Sequence, residues 1–158
     1  MRRFFVDQLF GTMEVDESIV VLLGDLGYGL FDKLRSKFPD RCINVGAAEQ
    51  LMVGSAVGIA LENKIPVCYS ITPFLLYRPF EFIRNFLHEE KIVVKLVGSG
   101  RDKDYKDAGY THHSTEARDI LDQFHNIEKY FPENNKELQD QFQSFLYSDK
   151  PAFLSLKK

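Results

Sequence analysis

Short apolar runs rich in β-branched residues recur along this chain, each too short for an ordinary helix, and longer stretches with helical pattern separate them. The runs are "SIVVLLGD" (18–25), "RCINVG" (41–46), "IPVCYSI" (65–71), "KIVVKLVGSG" (91–100) and "PAFLSLK" (151–157). Between them, Leu30–Phe38, Ala48–Asn63, Pro79–His88, Thr115–Phe124 and Asn135–Tyr147 read as helices. Strands that are apolar almost throughout, rather than in alternation, are strands covered on both faces. The pattern therefore predicts a three-layer α/β/α domain with a mostly parallel sheet. At 158 residues the chain is expected to form one domain, 1–158, with a core of useful size.

In such sheets, ligands gather beyond the carboxyl ends of the strands. That rule selects four loops: "GDLGYG", "NVGAAEQ", "ITPFLLY" and "GSGRDKDYKDAGYTHH". Other classes are set aside by composition. A net charge of -3 with scattered basic residues offers no nucleic-acid or anionic-membrane surface. No apolar run approaches membrane-spanning length, and the start, "MRRFFVDQLFGTMEVDES", lacks a signal peptide's apolar core and cleavage site. Cys42 and Cys68 match no metal or redox spacing, so a reducing cytoplasm is the expected setting.

The most informative stretch is "NVGAAEQLMVGSAVGIALE", Asn44 to Glu62, an apolar run with one acid, Glu49, at its head. An acid in a first helical turn is favoured by the helix dipole, which explains its position without any chemistry. The residues that follow, however, leave hardly any polar face, so the helix is expected to be buried. A buried, unpaired carboxylate is costly, and its pKa rises. Such a cost is met where a carboxyl must hold a proton near neutrality and bond a ligand nitrogen. Gly54, Ser55, Ala56, Gly58 and Ala60 keep part of the helix thin, permitting another element to approach closely.

The remaining loops supply further candidates. "GDLGYG" lacks the spacing of the dinucleotide fingerprint and reads as a strand-to-helix turn, with Asp25 as a ligand candidate at the strand end. "DAGYTHHSTEARD" places Asp107, His112 and His113 together, ahead of a capping signal in which Ser114 or Thr115 precedes Glu116. Two adjacent histidines without a third ligand do not make a metal site. A histidine in a cleft acts more readily as a proton shuttle or oxyanion partner. Phe74 and Tyr77, between a strand end and a helix, offer a flat stacking surface.

Taken in order, these motifs resemble the pyrimidine-binding domain of the transketolase family, which includes 1-deoxyxylulose-5-phosphate synthase. The resemblance runs from "GDLGYG" through "FPDRCINVGAAEQLMVGSAVGIAL", "RPFEFIRN" and "DAGYTHHSTEARDIL" to "YFPENNKEL" and "PAFLSL". It implies thiamine diphosphate and Mg2+ as cofactors. In that family the matching glutamate bonds N1′ of the cofactor's aminopyrimidine, favouring the 4′-imino tautomer that removes the C2 proton. Glu49 matches that glutamate and Phe74 the aromatic that stacks on the pyrimidine, with Tyr77 beside it. Asp25 matches an acid near the thiazolium. His112 matches a histidine that contacts substrate, and Asp107 lies near an aspartate that contacts sugar hydroxyls, one residue out of register. His113 and Arg101 complete the expected substrate side.

The departures from the family pattern carry their own implications. The diphosphate and metal are held in these enzymes by a different domain, marked by GDG followed by asparagines. Here "GDLG" has Leu26 in place of the second glycine, and no metal ligand is assigned to this chain. The expectation is one subunit of a split enzyme, working with a separate diphosphate-binding subunit that carries the GDG…N motif, and self-associating. Where sugar-phosphate transketolases place a phosphate-binding histidine, the chain has Ser99, Gly100 and Arg101. The substrate is therefore a small sugar or 2-oxo acid that need not be an ordinary pentose phosphate. Two other readings stand beside this one: a subunit of a two-chain 2-oxo acid decarboxylase, and a catalytically silent binding module.

Overall fold

A computed structural model describes all 158 residues. The elements in chain order are α1 (Arg2–Val15), β1 (Ile19–Leu23), α2 (Asp32–Lys37), β2 (Cys42–Asn44), α3 (Glu49–Leu61) and β3 (Ile65–Ile71). They continue with α4 (Thr72–Tyr77), α5 (Phe80–Phe82), β4 (Lys95–Ser99), α6 (Ala117–Asp122), β5 (Glu128–Tyr130), α7 (Asn135–Tyr147) and β6 (Ala152–Leu156). The six strands form one sheet in the order β2-β1-β3-β4-β6-β5, and every pairing is parallel.

Strand side chains alternate between two cores, as a pleat of period two requires. Val21, Leu23, Val67, Tyr69, Val97 and Leu154 face the layer built by α1, α2 and α7. Leu22, Cys68, Leu96 and Phe153 face the layer carrying α3, α4 and α6. Both faces of β4 and β6 are fully buried, which is why their sequences read as nearly unbroken apolar runs.

Several elements differ from the sequence expectation. Helix α1 is an addition to it, although Phe5, Val6, Leu9 and Met13 fall on one helical face and are all buried. Strand β5 is a three-residue edge strand, only half-buried, too short to show a period. The loop expected at "ITPFLLY" is instead helix α4, which starts directly after β3 with a proline in its first turn, where the missing N–H costs nothing. The helix expected over Pro79–His88 is one α-turn followed by a π-helical turn, Ile83–Glu89. The capping signal ahead of α6 is not used as such. Glu116 occupies the N-cap without a side-chain cap bond, and Thr115 Oγ1 donates to the Glu116 carboxylate at 2.9 Å.

Helix α3 is covered on one side only. Met52, Val53, Ala56 and Val57 pack on the sheet, while Leu51 and Leu61 are 60% and 66% exposed and Gly58 faces open space. Both cysteines are buried, and burial pushes the Cys42 thiol up to about 11 and Cys68 higher still, so neither is a ready nucleophile. No helix is long and apolar enough to cross a membrane.

Candidate active site

The strand order reverses between β1 and β3: one connection leaves β1 toward β2, and the chain then returns to lay β3 on β1's other side. A crevice opens beyond the carboxyl ends of strands at such a reversal. Three segments meet there. Gly24 follows β1, Glu49 opens α3 after β2, and Ser70 lies near the end of β3.

Glu49 is 1% exposed, and contrary to expectation it is not unpaired. Ser70 Oγ donates to its Oε1 at 2.9 Å, and Arg78 Nη1 donates to its Oε2 at 2.7 Å. A bond from a charged donor contributes about 1.5–3 kcal/mol, against the larger cost of an orphaned buried charge. Sequence reasoning misses both partners because they lie 21 and 29 residues away. The first turn of α3 has no capping side chain, Ala48 being the N-cap, so the turn is shaped instead by Gly46 at φ +82°. Only glycine reaches that region without strain. Gly24 lacks a side chain for a different reason: a Cβ there would lie 3.2 Å from Glu49 Oε1 and 3.1 Å from Ser70 Oγ.

Phe74, on α4, is linked to the carboxylate through Arg78. The Arg78 guanidinium carbon stands 3.9 Å from its ring centroid, and the His112 ring meets it edge-on with centroids 4.9 Å apart. His112 closes the short 3-10 turn Tyr110–His112, with Thr111 Oγ1 3.0 Å from its Nδ1. An open cavity of 310 Å³ adjoins this cluster, lined by Phe74, Tyr77, Arg78, Tyr110, His113 and Glu116 among others. His113 Nε2 is buried without a hydrogen-bond partner. Burial first, then the neighbouring Glu116 carboxylate, pushes the Tyr77 phenol well above its ordinary range, so this group stays protonated and able to donate.

The loop that delivers His112 is anchored at its base. Tyr105 covers Gly100, bonds Ser99 Oγ at 2.8 Å and accepts from Arg2 Nη1 at 3.0 Å. An antiparallel bridge joins Asp102 to Ser114. Asp107 sits exposed on a neighbouring 3-10 turn, Lys106–Ala108.

Two further expected site residues, Asp25 and Arg101, lie outside this cavity and are bonded to neighbours in the fold. The Asp25 carboxylate accepts from Tyr28 and Asn44, and those two bonds, Tyr28's the stronger, lower its pKa. Asn44 Oδ1 in turn accepts from the N–H groups of Asp25 and Gly46, tying the ends of β1 and β2 together. Arg101 is 6% exposed and does not face the cavity. Its guanidinium donates to Ser155 Oγ, the Ser155 and Pro132 carbonyls and Glu133, holding β6 to the segment after β5. No group of three His, Cys, Asp or Glu side chains is placed to hold a metal ion.

Fold and site define a doubly wound α/β domain that presents a buried carboxylate and an aromatic face at its switch point. The family model described as "Transketolase, pyrimidine binding domain" matches residues 1–158, and the chain belongs to that family. It is 31% identical over 157 residues to the 6-deoxy-6-sulfo-D-fructose transketolase subunit SqwH of Clostridium sp., covering 99% of this chain and 49% of that protein. One of the apulose-4-phosphate transketolase subunits of Actinobacillus succinogenes is 37% identical over 101 residues, covering 64% of this chain and 32% of that protein. Among solved structures, a split gene transketolase described as an inactive beta4 tetramer superposes with a TM-score of 0.86 at 24% identity, covering 99% of this chain and 50% of that one. That likeness shows the fold. The chain spans about half the length, or less, of these relatives.

Proposed function

We propose that this chain supplies the pyrimidine half of a thiamine-diphosphate site in a transketolase-like transferase of the cytoplasm, acting on a small sugar or 2-oxo acid. The observation that carries the reading is the pairing of a 1%-exposed carboxylate, Glu49, with an adjacent aromatic face, Phe74, at the sheet's switch point. A planar amino-heterocycle stacked on Phe74 would find the Glu49 carboxylate as partner for a ring nitrogen, so the residues present fit the aminopyrimidine. They do not supply a diphosphate and Mg2+ site, which this reading assigns to a separate subunit bearing the GDG…N motif.

When bound, thiamine diphosphate supplies a carbon nucleophile and an electron sink for moving a two-carbon or acyl unit. The chain's own residues prepare that chemistry. Glu49, fixed through Ser70, holds or releases a proton at its Oε2, and Phe74 fixes the plane of the ring. His112, edge-on to Phe74, lies where it can bond a substrate oxygen, with His113 and Tyr77 lining the cavity and Asp107 on the neighbouring 3-10 turn. Asp25, at the end of β1 and bonded to Tyr28 and Asn44, is assigned to the thiazolium end of the site. In the reconstituted complex, Phe74→Ala should weaken thiamine diphosphate binding at least about tenfold, the loss of one stacking face. Calorimetric titration reads this, and unaltered affinity would remove Phe74 from the site.

The reading extends to assembly. The family relatives named as subunits, together with the uncovered outer face of α3, support two such chains joined to two partner chains, with α3 near the two-fold axis. Leu51 and Leu61 would be covered by the second copy. Gly58→Leu places a bulky group on that face, and apart from the helix's own backbone no atom lies within 4 Å of a Cβ there. Leucine also favours the helix by about 1 kcal/mol over glycine. The variant should therefore sediment as a well-folded monomer while the parent self-associates at micromolar concentration. A monomeric parent would show that this face is not an interface.

A further inference from the structure

Arg78 makes the two contacts at Glu49 and Phe74 that a pyrimidine would need. Its guanidinium is a flat N–C–N group lying 3.9 Å over the Phe74 ring, and its Nη1 donates to Glu49 Oε2 at 2.7 Å. An aminopyrimidine presents a planar N–C–N edge of similar size that stacks in the same way, and its ring nitrogen, an acceptor, bonds the carboxyl once a proton lies between them. We infer that Arg78 is a latch on this site, standing where the aminopyrimidine binds and swinging into solvent when the ring enters. The inference rests on the reading of Glu49 and Phe74 given above.

The contacts are lopsided in the way a displaceable group requires. Glu49 is 1% exposed, whereas the Arg78 side chain is 45% exposed and makes no other side-chain hydrogen bond. When Arg78 leaves, Oε1 keeps its bond from Ser70, and Oε2 alone is freed for the incoming nitrogen. Until a ring enters, Arg78 spares the protein a buried carboxylate with an unfilled oxygen, which is costly. The same contact lowers the apparent affinity for any ligand by the fraction of time the latch is open. A ligand must match both the carboxylate and the stacking face to displace it, so the latch selects flat, nitrogen-bearing rings over aliphatic molecules.

The test uses the full chain and 4-amino-5-hydroxymethyl-2-methylpyrimidine, a probe that carries no diphosphate and so needs no partner. Nuclear magnetic resonance titration of the parent, Arg78→Met, Arg78→Lys and Glu49→Ala chains gives the affinities. Arg78→Met keeps the apolar stem but loses the flat cation, and it should bind the probe about tenfold tighter than the parent. Arg78→Lys, with a compact ammonium that cannot stack in the same way, should fall between them. Equal or weaker binding by Arg78→Met, or none at millimolar probe, overturns the latch. Where the parent and Arg78→Met bind the probe equally and Glu49→Ala abolishes binding, the site assignment survives without the latch. Probe binding indifferent to Glu49→Ala would instead overturn the site assignment, and the latch with it.

Discussion

Glu49→Gln, in the complex with the diphosphate-binding subunit, should slow exchange of the C2 proton of bound thiamine diphosphate by about two to four orders of magnitude. The substitution keeps the shape of the side chain. Gln can accept from Ser70 as Glu49 does, and it can bond a ring nitrogen, but it cannot hand over a proton at that atom. Arg78 loses its only side-chain acceptor, yet it is half-exposed and turns to water, so the fold is retained. The cofactor should still bind, because Phe74 and the diphosphate subunit supply most of the contact. Hydrogen–deuterium exchange at C2, read by quenched-flow nuclear magnetic resonance, isolates this step from substrate binding and from turnover. Exchange at the parent rate would return Glu49 to the role of a helix-dipole acid held by an ion pair.

The sheet is legible in the sequence because parallel strands buried on both faces leave no polar alternation. β1, β3, β4 and β6 show themselves in that way. Helix α1 carries an apolar face, Phe5 to Met13, but it has no capping side chain at its start and a glycine, Gly11, in its body. Those two features hide it. β5 has three half-buried residues and follows from its pairing with β6, which no local pattern reveals.

The site is half legible. Strand-end logic singles out the segments carrying Glu49, Phe74 and His112, and the fold brings all three to one crevice. The pairing of Glu49 is what the sequence does not show. Ser70 and Arg78 reach it only because β1, β3 and α3 converge, and the apolar run around Glu49 suggests a carboxylate left alone. Arg78 stands one residue beyond the loop "ITPFLLY" that the strand-end rule selects. Arg101 misleads in the opposite direction. A cation just after a strand end looks like an anion ligand, but two carbonyls, a serine and Glu133 consume its donors. The exposure of α3's outer face has a similar origin: a run apolar all round predicts full burial, and one sheet covers only one side of a helix.

The second large effect concerns what this chain does without its partner. On the proposed reading the carboxylate and the stacking ring take the pyrimidine end of the cofactor, while no group of three His, Cys, Asp or Glu side chains is placed to hold a divalent metal. Charge-assisted bonds and a metal contribute most of the affinity of a diphosphate-bearing ligand, so half a site means far less than half the affinity expressed as a constant. The isolated chain should bind thiamine diphosphate at best in the millimolar range, about a thousandfold or more weaker than the complex, and should turn over no substrate. The most direct test is calorimetric titration of thiamine diphosphate with Mg2+ into the chain alone and into the chain mixed with a subunit carrying the GDG…N motif. The account predicts negligible heat from the first and tight, magnesium-dependent binding from the second. Tight, magnesium-dependent binding by the chain alone would contradict it.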